Sequence, residues 1–213
     1  MSGIHDLALF VASGILLNLT PGADTLYIVT RGTTMGARAG AVAALGIAVG
    51  CCLHIVAAAL GLSALLVASA TAFTAVKLAG AAYLIYLGIG LWRSRPAEPE
   101  ADRALPAASL RRVFAQGALT NVLNPKVALF FLAFLPQFVD PADGGGRLAA
   151  FLLLGAIFNT TGLIWNLIVA LSSAGIGRRL RRLAGRLRGL NRVAGAVFVA
   201  LGVRLALSAR APG

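Results

Sequence analysis

Two charged side chains stand inside otherwise apolar stretches of this chain, each beside a proline. Asp24 follows the run Asn18-Leu19-Thr20-Pro21-Gly22, and Lys126 closes the run Asn121-Val122-Leu123-Asn124-Pro125-Lys126. Charges placed beside breaks in apolar stretches suit a small proton-coupled or facilitative carrier. An ionised carboxylate in hydrocarbon is also costly unless paired or hydrated, which suits it to exchanging protons. Asp24 is therefore read as binding a substrate ammonium from the cytoplasm and being reset by a proton from outside. Lys126 is read as holding the substrate carboxylate, or as pairing with Asp24 while the site is empty. Structural readings stand beside these. Asp24 lies seven residues before Arg31, about 10 Å along a helix, which also suits a hydrated carboxylate near the inner surface. Lys126 could equally snorkel or belong to a structural ion pair.

The prolines explain why such residues gather here. Proline removes a backbone donor and clashes with the carbonyl four residues earlier, a defect that in a membrane must be made good by protein or water. The expectation is a first and a fourth helix broken at Pro21 and Pro125. Asn18, Thr20, Asn121 and Asn124 flank the breaks and either satisfy freed backbone groups, their first duty, or touch substrate. Gly22 permits positive φ or a close backbone approach, fitting an unwound turn whose N–H groups face a carboxylate. Breaks in corresponding places of two halves point to a central substrate site.

Other polar residues are weaker candidates. His54, in the second apolar stretch, either relays protons or hydrogen-bonds a neighbouring helix. Asn159 and Asn166, with Thr160, Thr161 and Trp165, make the fifth stretch polar on one side, to line a pathway or to bind another helix. Gly46 and Gly50 read as a close helix-packing pair. Cys51 and Cys52 are adjacent within an apolar run and read as small packing residues, with neither a disulfide framework nor a metal motif.

The elements that must position these groups are membrane helices. Of 213 residues, 59% are hydrophobic and 12% charged, with a mean hydropathy of +0.86. Stretches of roughly 20 residues, enough to cross a bilayer core, fall at Leu7 to Val29, Ala41 to Val67, Phe73 to Trp92, Val113 to Val139, Leu148 to Leu171 and Val193 to Leu207. The last is short and holds Arg204, which would snorkel; without it five spans remain and the C-terminus moves inside. The first run has no basic residue before it and no A-x-A cleavage site, so it reads as a helix rather than a removable signal. With six spans, fourteen of the nineteen basic residues fall in one set of loops and four in the other, with Lys126 within a span. Positive-inside bias then places both termini outside.

Residues 94–112 read as a cytoplasmic linker, proline-rich and acidic from Pro96 to Pro106, between a first group of three spans (1–93) and a second (113–213) within one membrane domain. Because three is odd, the second group lies upside down relative to the first. The expected fold is thus an all-α membrane protein of six helices in two inverted three-helix repeats. Arg178 to Arg192, with leucines at spacings of three and four, reads as an amphipathic anchor on the inner leaflet. Trp92 reads as an interfacial anchor.

The net charge of +12 belongs to these loops, so no nucleic-acid partner is expected. The chain carries no H-E-x-x-H, no G-x-S-x-G and no paired intramembrane carboxylates, so no enzyme is expected either. A divalent-metal exporter would need several charged oxygens where this chain offers one aspartate beside a lysine. Efflux of a cation or another small metabolite, and a non-transport membrane role, stay as alternatives. No cofactor is expected beyond a proton gradient.

Three motifs together resemble the LysE/RhtB family of amino-acid exporters: Asn18 to Asp24, Gly80-Ala81-Ala82-Tyr83-Leu84-Ile85-Tyr86-Leu87-Gly88, and Gly117 to Lys126 with Phe130 to Phe138 after it. The match runs from about Leu7 to Leu207 in the family's order. Ala23 stands where the family commonly has a second proline, which softens the first break. The resemblance implies export of an amino acid or derivative from a bacterial cytoplasm by a multi-pass inner-membrane protein, driven by protons. Moving one positive charge outward against the potential costs about 2.3 kcal/mol per 100 mV. With no second intramembrane acid, neutral substrates such as threonine, homoserine or branched-chain amino acids are favoured. Glycine-rich faces suggest a homodimer.

Overall fold

The computed structural model describes residues 3–68, 70–93, 108–140, 146–173 and 180–207, with the side chains of some helical residues left undescribed. Its helices are α1 (Leu7–Leu19), α2 (Ala23–Met35), α3 (Ala37–Ala68), α4 (Ala70–Arg93), α5 (Leu110–Val122), α6 (Pro125–Leu129), α7 (Arg147–Ser173) and α8 (Leu180–Leu207). Beyond α6 the same run continues as a π turn, Phe130–Phe134, and a 3₁₀ turn, Leu135–Phe138. The protein is all-helical among the described residues, apart from one isolated antiparallel bridge between Ile4 and Val139.

By length and composition α3, over Ala37–Gly61, and α7 are each able to cross a membrane. Two bent pairs raise the number to four: α1 with α2, meeting at 49°, and α5 with the run Pro125–Phe138, meeting at 46°. The third and sixth expected spans fall on α4 and α8. There the described apolar stretches, Leu78–Gly90 and Gly195–Arg204, are shorter than a crossing requires. Arg204 is exposed and its guanidinium stands 3.4 Å from the Asp6 carboxylate, so residues 6 and 204 share one end of the bundle. Residues 94–107 of the expected linker and Arg178 and Arg179 of the expected anchor lie outside the described residues, as do the side chains of 180–191.

The helices meet through glycines, as expected where lipid supplies no hydrophobic drive and close backbone approach must do the packing. A Cβ on Gly46 would run into the Phe114 carbonyl, and one on Gly50 would lie 2.5 Å from the Ala118 carbonyl. From the other side, a Cβ on Gly117 would lie 2.6 Å from the Ala43 carbonyl. The Gly46 and Gly50 pair is thus used inside the chain, drawing α3 against α5. Gly88 and Gly202 do the same for α4 and α8.

Two cores flank the breaks. On the side of Ile4 and Val139, the buried rings of Phe10, Phe130, Phe131, Phe134, Phe138 and Phe158 interlock, with centroids 4.6 Å apart for Phe130 and Phe158. On the other side the core is built from small and aliphatic residues: Ile28, Ala43, Ala44, Ile47, Val113 and Ala170.

Candidate functional site

Helix α1 stops at Leu19 and α2 starts at Ala23, with Thr20, Pro21 and Gly22 between them. In an unbroken helix the Leu17 carbonyl would accept from residue 21, which is a proline and has no N–H. It accepts instead from the Thr20 amide at 3.2 Å and from Lys126 Nζ at 2.8 Å. Lys126 Nζ also donates to the Thr20 carbonyl at 2.8 Å. A lysine from the second half therefore caps the end of α1, where the helix dipole also favours a cation.

The second break follows the same logic. Pro125 leaves the Asn121 carbonyl without its helical donor. That carbonyl accepts from the Asn124 amide at 2.9 Å and from His54 Nε2–H at 3.0 Å. The Asn124 side chain then caps α6, accepting from the Lys126 amide at 3.0 Å. The N-terminus of α2 has no such cap: Gly22 offers no side chain.

Asp24 lies in the first turn of α2, half-buried, where a carboxylate suits the helix N-terminus. Its Oδ2 accepts from Asn121 Nδ2 at 2.8 Å, which links the two breaks directly. Its Oδ1, the Asn121 Oδ1 and the Asn18 Nδ2 are buried and have no hydrogen-bond partner among the described residues. Asn18 packs on α7, its carboxamide 3.2 Å from where a Cβ on Gly162 would stand. Lys126 spends two bonds on α1 carbonyls, and no Asp24 to Lys126 contact within salt-bridge distance occurs among the described residues.

Thr20 turns its hydroxyl back to the Leu16 carbonyl at 2.8 Å, a bond within its own helix turn. Gly22 corrects one expectation. Its φ is −152°, extended backbone open to any residue, so positive φ is not why glycine stands there. A Cβ there would stand in ordinary van der Waals contact with Lys126 Nζ, at 3.7 Å. Asn159 is committed to helix packing, donating to the Ala48 carbonyl at 3.2 Å and reaching Cys52 Sγ at 3.5 Å. Asn166 is half-buried on the same helix, two turns away. Cys51 is buried and Cys52 exposed, both as free thiols. Among the described residues no three His, Cys, Asp or Glu side chains gather as metal ligands.

Sequence reasoning missed a polar ladder from the site toward the far end of α2. The Tyr27 hydroxyl donates to the Val113 carbonyl at 2.9 Å, and Arg31 Nη2 donates to Gln116 Oε1 at 2.8 Å. Arg31 is buried, 3% exposed, with its guanidinium 5.5 Å from the Tyr27 ring centre. The signal was available: Asp24, Tyr27 and Arg31 are spaced three and four apart, one stripe of α2.

The LysE type translocator family model matches residues 15–209. An uncharacterized membrane protein of Vibrio cholerae is 33% identical over 206 residues, covering 95% of this chain and 97% of its own. A homoserine/homoserine lactone efflux protein of Salmonella typhi is 32% identical over 200 residues, covering 92% of this chain and 94% of its own. A leucine efflux protein of an Enterobacter strain is 27% identical over 208 residues, covering 96% of each. No solved structure matches the chain.

Proposed function

The chain belongs to the LysE type translocator family, and from that premise we propose that it exports a neutral amino acid or close derivative across a bacterial inner membrane in exchange for protons. The observation that carries this reading is the pair of buried oxygens, Asp24 Oδ1 and Asn121 Oδ1, that have no hydrogen-bond partner among the described residues, beside the lysine that bridges the breaks. An unpartnered buried acceptor costs free energy unless something fills its place during function. A substrate ammonium, with three donors, matches two such oxygens. Its carboxylate has a place at the uncapped N-terminus of α2, beside Gly22, whose ideal Cβ position lies 3.7 Å from Lys126 Nζ.

Relatives named for efflux of homoserine, homoserine lactone and leucine make uncharged side chains the favoured class. One aspartate fits one proton per cycle, loaded when substrate leaves. In this reading six helices form two inverted groups of three. The end bearing Arg38, Arg111 and Arg112, all exposed, is cytoplasmic. The phenylalanine core then lies between the site and the outside.

The test is counterflow of labelled homoserine, threonine, leucine and lysine in proteoliposomes, with and without a pH gradient. Gradient-stimulated movement of the neutral amino acids, lost in Asp24→Asn, is the expected result. Normal gradient-driven transport by Asp24→Asn would remove the proton-carrying role, and movement of lysine alone would reverse the substrate class.

A further inference from the structure

We propose that His54 is a positioning residue of this site: it replaces the helical hydrogen bond that Pro125 deletes, and so sets Asn121, whose carboxamide holds Asp24. The inference rests on the transport reading above only for its functional half. The structural half stands on three observations.

The first is the bond itself, His54 Nε2–H to the Asn121 carbonyl at 3.0 Å. That carbonyl is the one orphaned by Pro125, four residues on. The second is continuity, because the same residue donates through Nδ2 to Asp24 Oδ2 at 2.8 Å. The third is how His54 is delivered. Gly46, Gly50 and His54 follow one another at four-residue spacing on the face of α3 that meets α5. The two glycines bring α3 onto the Phe114 and Ala118 carbonyls, and a Cβ on Gly50 would lie 3.0 Å from Asn121 Cβ. One turn later the close approach places an imidazole where a bond is missing. Phe131 fixes the ring plane by stacking at 15° with centroids 6.2 Å apart.

This geometry separates positioning from proton relay. A carbonyl oxygen only accepts, so Nε2 carries its hydrogen whether Nδ1 is bare or protonated. The bond therefore persists in both charge states, and Asp24, with Lys126 beside it, remains the group whose protonation changes what the site can bind.

The experiment is a double-mutant cycle in melting temperature, using purified full-length wild type, His54→Leu, Pro125→Ala and the double variant. Pro125→Ala returns an N–H to position 125, so the Asn121 carbonyl no longer needs the imidazole. His54→Leu should lower the midpoint by about 3 °C in the wild-type background and by less than about 1 °C beside Pro125→Ala. Equal losses in both backgrounds would overturn the proposal. If His54→Leu yields no folded protein, His54→Asn, whose amide is too short to reach, takes its place. In proteoliposomes His54→Leu should slow transport about tenfold, whereas His54→Gln, which keeps an amide donor at the reach of Nε2, should retain both rate and response to a pH gradient. A His54→Gln protein that is stable but blind to the gradient would make His54 a proton carrier and overturn positioning. If wild type moves no amino acid, the export reading fails, and the melting cycle still decides the role of His54.

Discussion

The two breaks start from the same defect and are made good in different ways. Each proline strips a carbonyl of its donor, Leu17 in one and Asn121 in the other, and each carbonyl takes a backbone N–H from three residues on plus one side-chain donor. The first donor is the ammonium of Lys126, from the opposite break. The second is the imidazole of His54, from a neighbouring helix. Counting from the prolines, Gly22 and Lys126 occupy the same place, and a Cβ on the glycine would touch the lysine. The second break is also capped, by Asn124, while α2 starts bare. One break is thus closed by a side-chain cap, and the other leaves the start of α2 without one.

The largest expected effect comes from removing the shared cation. Lys126→Ala leaves the Leu17 and Thr20 carbonyls without their side-chain donor, so it should cost about 3 kcal/mol of stability and abolish transport; stability near wild type in a denaturation series would show that water closes the first break. Asp24→Asn should separate the two readouts. The amide can still accept from Asn121, so the unfolding midpoint should move by less than about 1 kcal/mol while gradient-driven transport is lost. Asn124→Ala tests the side-chain cap and should cost about 1 kcal/mol, as for other N-caps, with a smaller transport defect than Lys126→Ala. Gly22→Ala gives the smallest change. At φ −152° alanine fits, so stability should rise by about 0.5 kcal/mol even as substrate affinity falls. A clear destabilisation would mean that Gly22 adopts a glycine-only conformation elsewhere in the cycle.

The breaks were legible in the sequence because proline acts locally: its missing N–H names the carbonyl left over, and a polar residue nearby announces the repair. Which donor arrives was not legible. Lys126 and Leu17 are 109 residues apart, and His54 reaches Asn121 across 67, distances that only the helix crossings resolve. Pairing with Asp24, one of the readings open to Lys126, followed from charge alone and overlooked the carbonyls as competitors. Of the two uses expected of Gly22, positive φ is not adopted, and its approach to Lys126 leaves ordinary contact distance for a Cβ. The α2 stripe through Tyr27 and Arg31 was missed because an arginine near a helix end was assigned to a loop, although its guanidinium is buried against α5. The third and last spans were drawn from hydropathy alone, and the described apolar stretches there are shorter.

The layer of phenylalanines between Phe10 and Phe158 has an electrical consequence. Protons cross proteins by hopping along chains of hydrogen bonds, and stacked aromatic rings offer no oxygen or nitrogen for a hop. If the proposed proton exchange holds, the protein sits across the battery that the cell charges, and any continuous wire of water through it would discharge that battery without work. With Asp24 on one side and six interlocked rings on the other, the proposed proton exchange has no hydrogen-bonding atom of those rings to pass through.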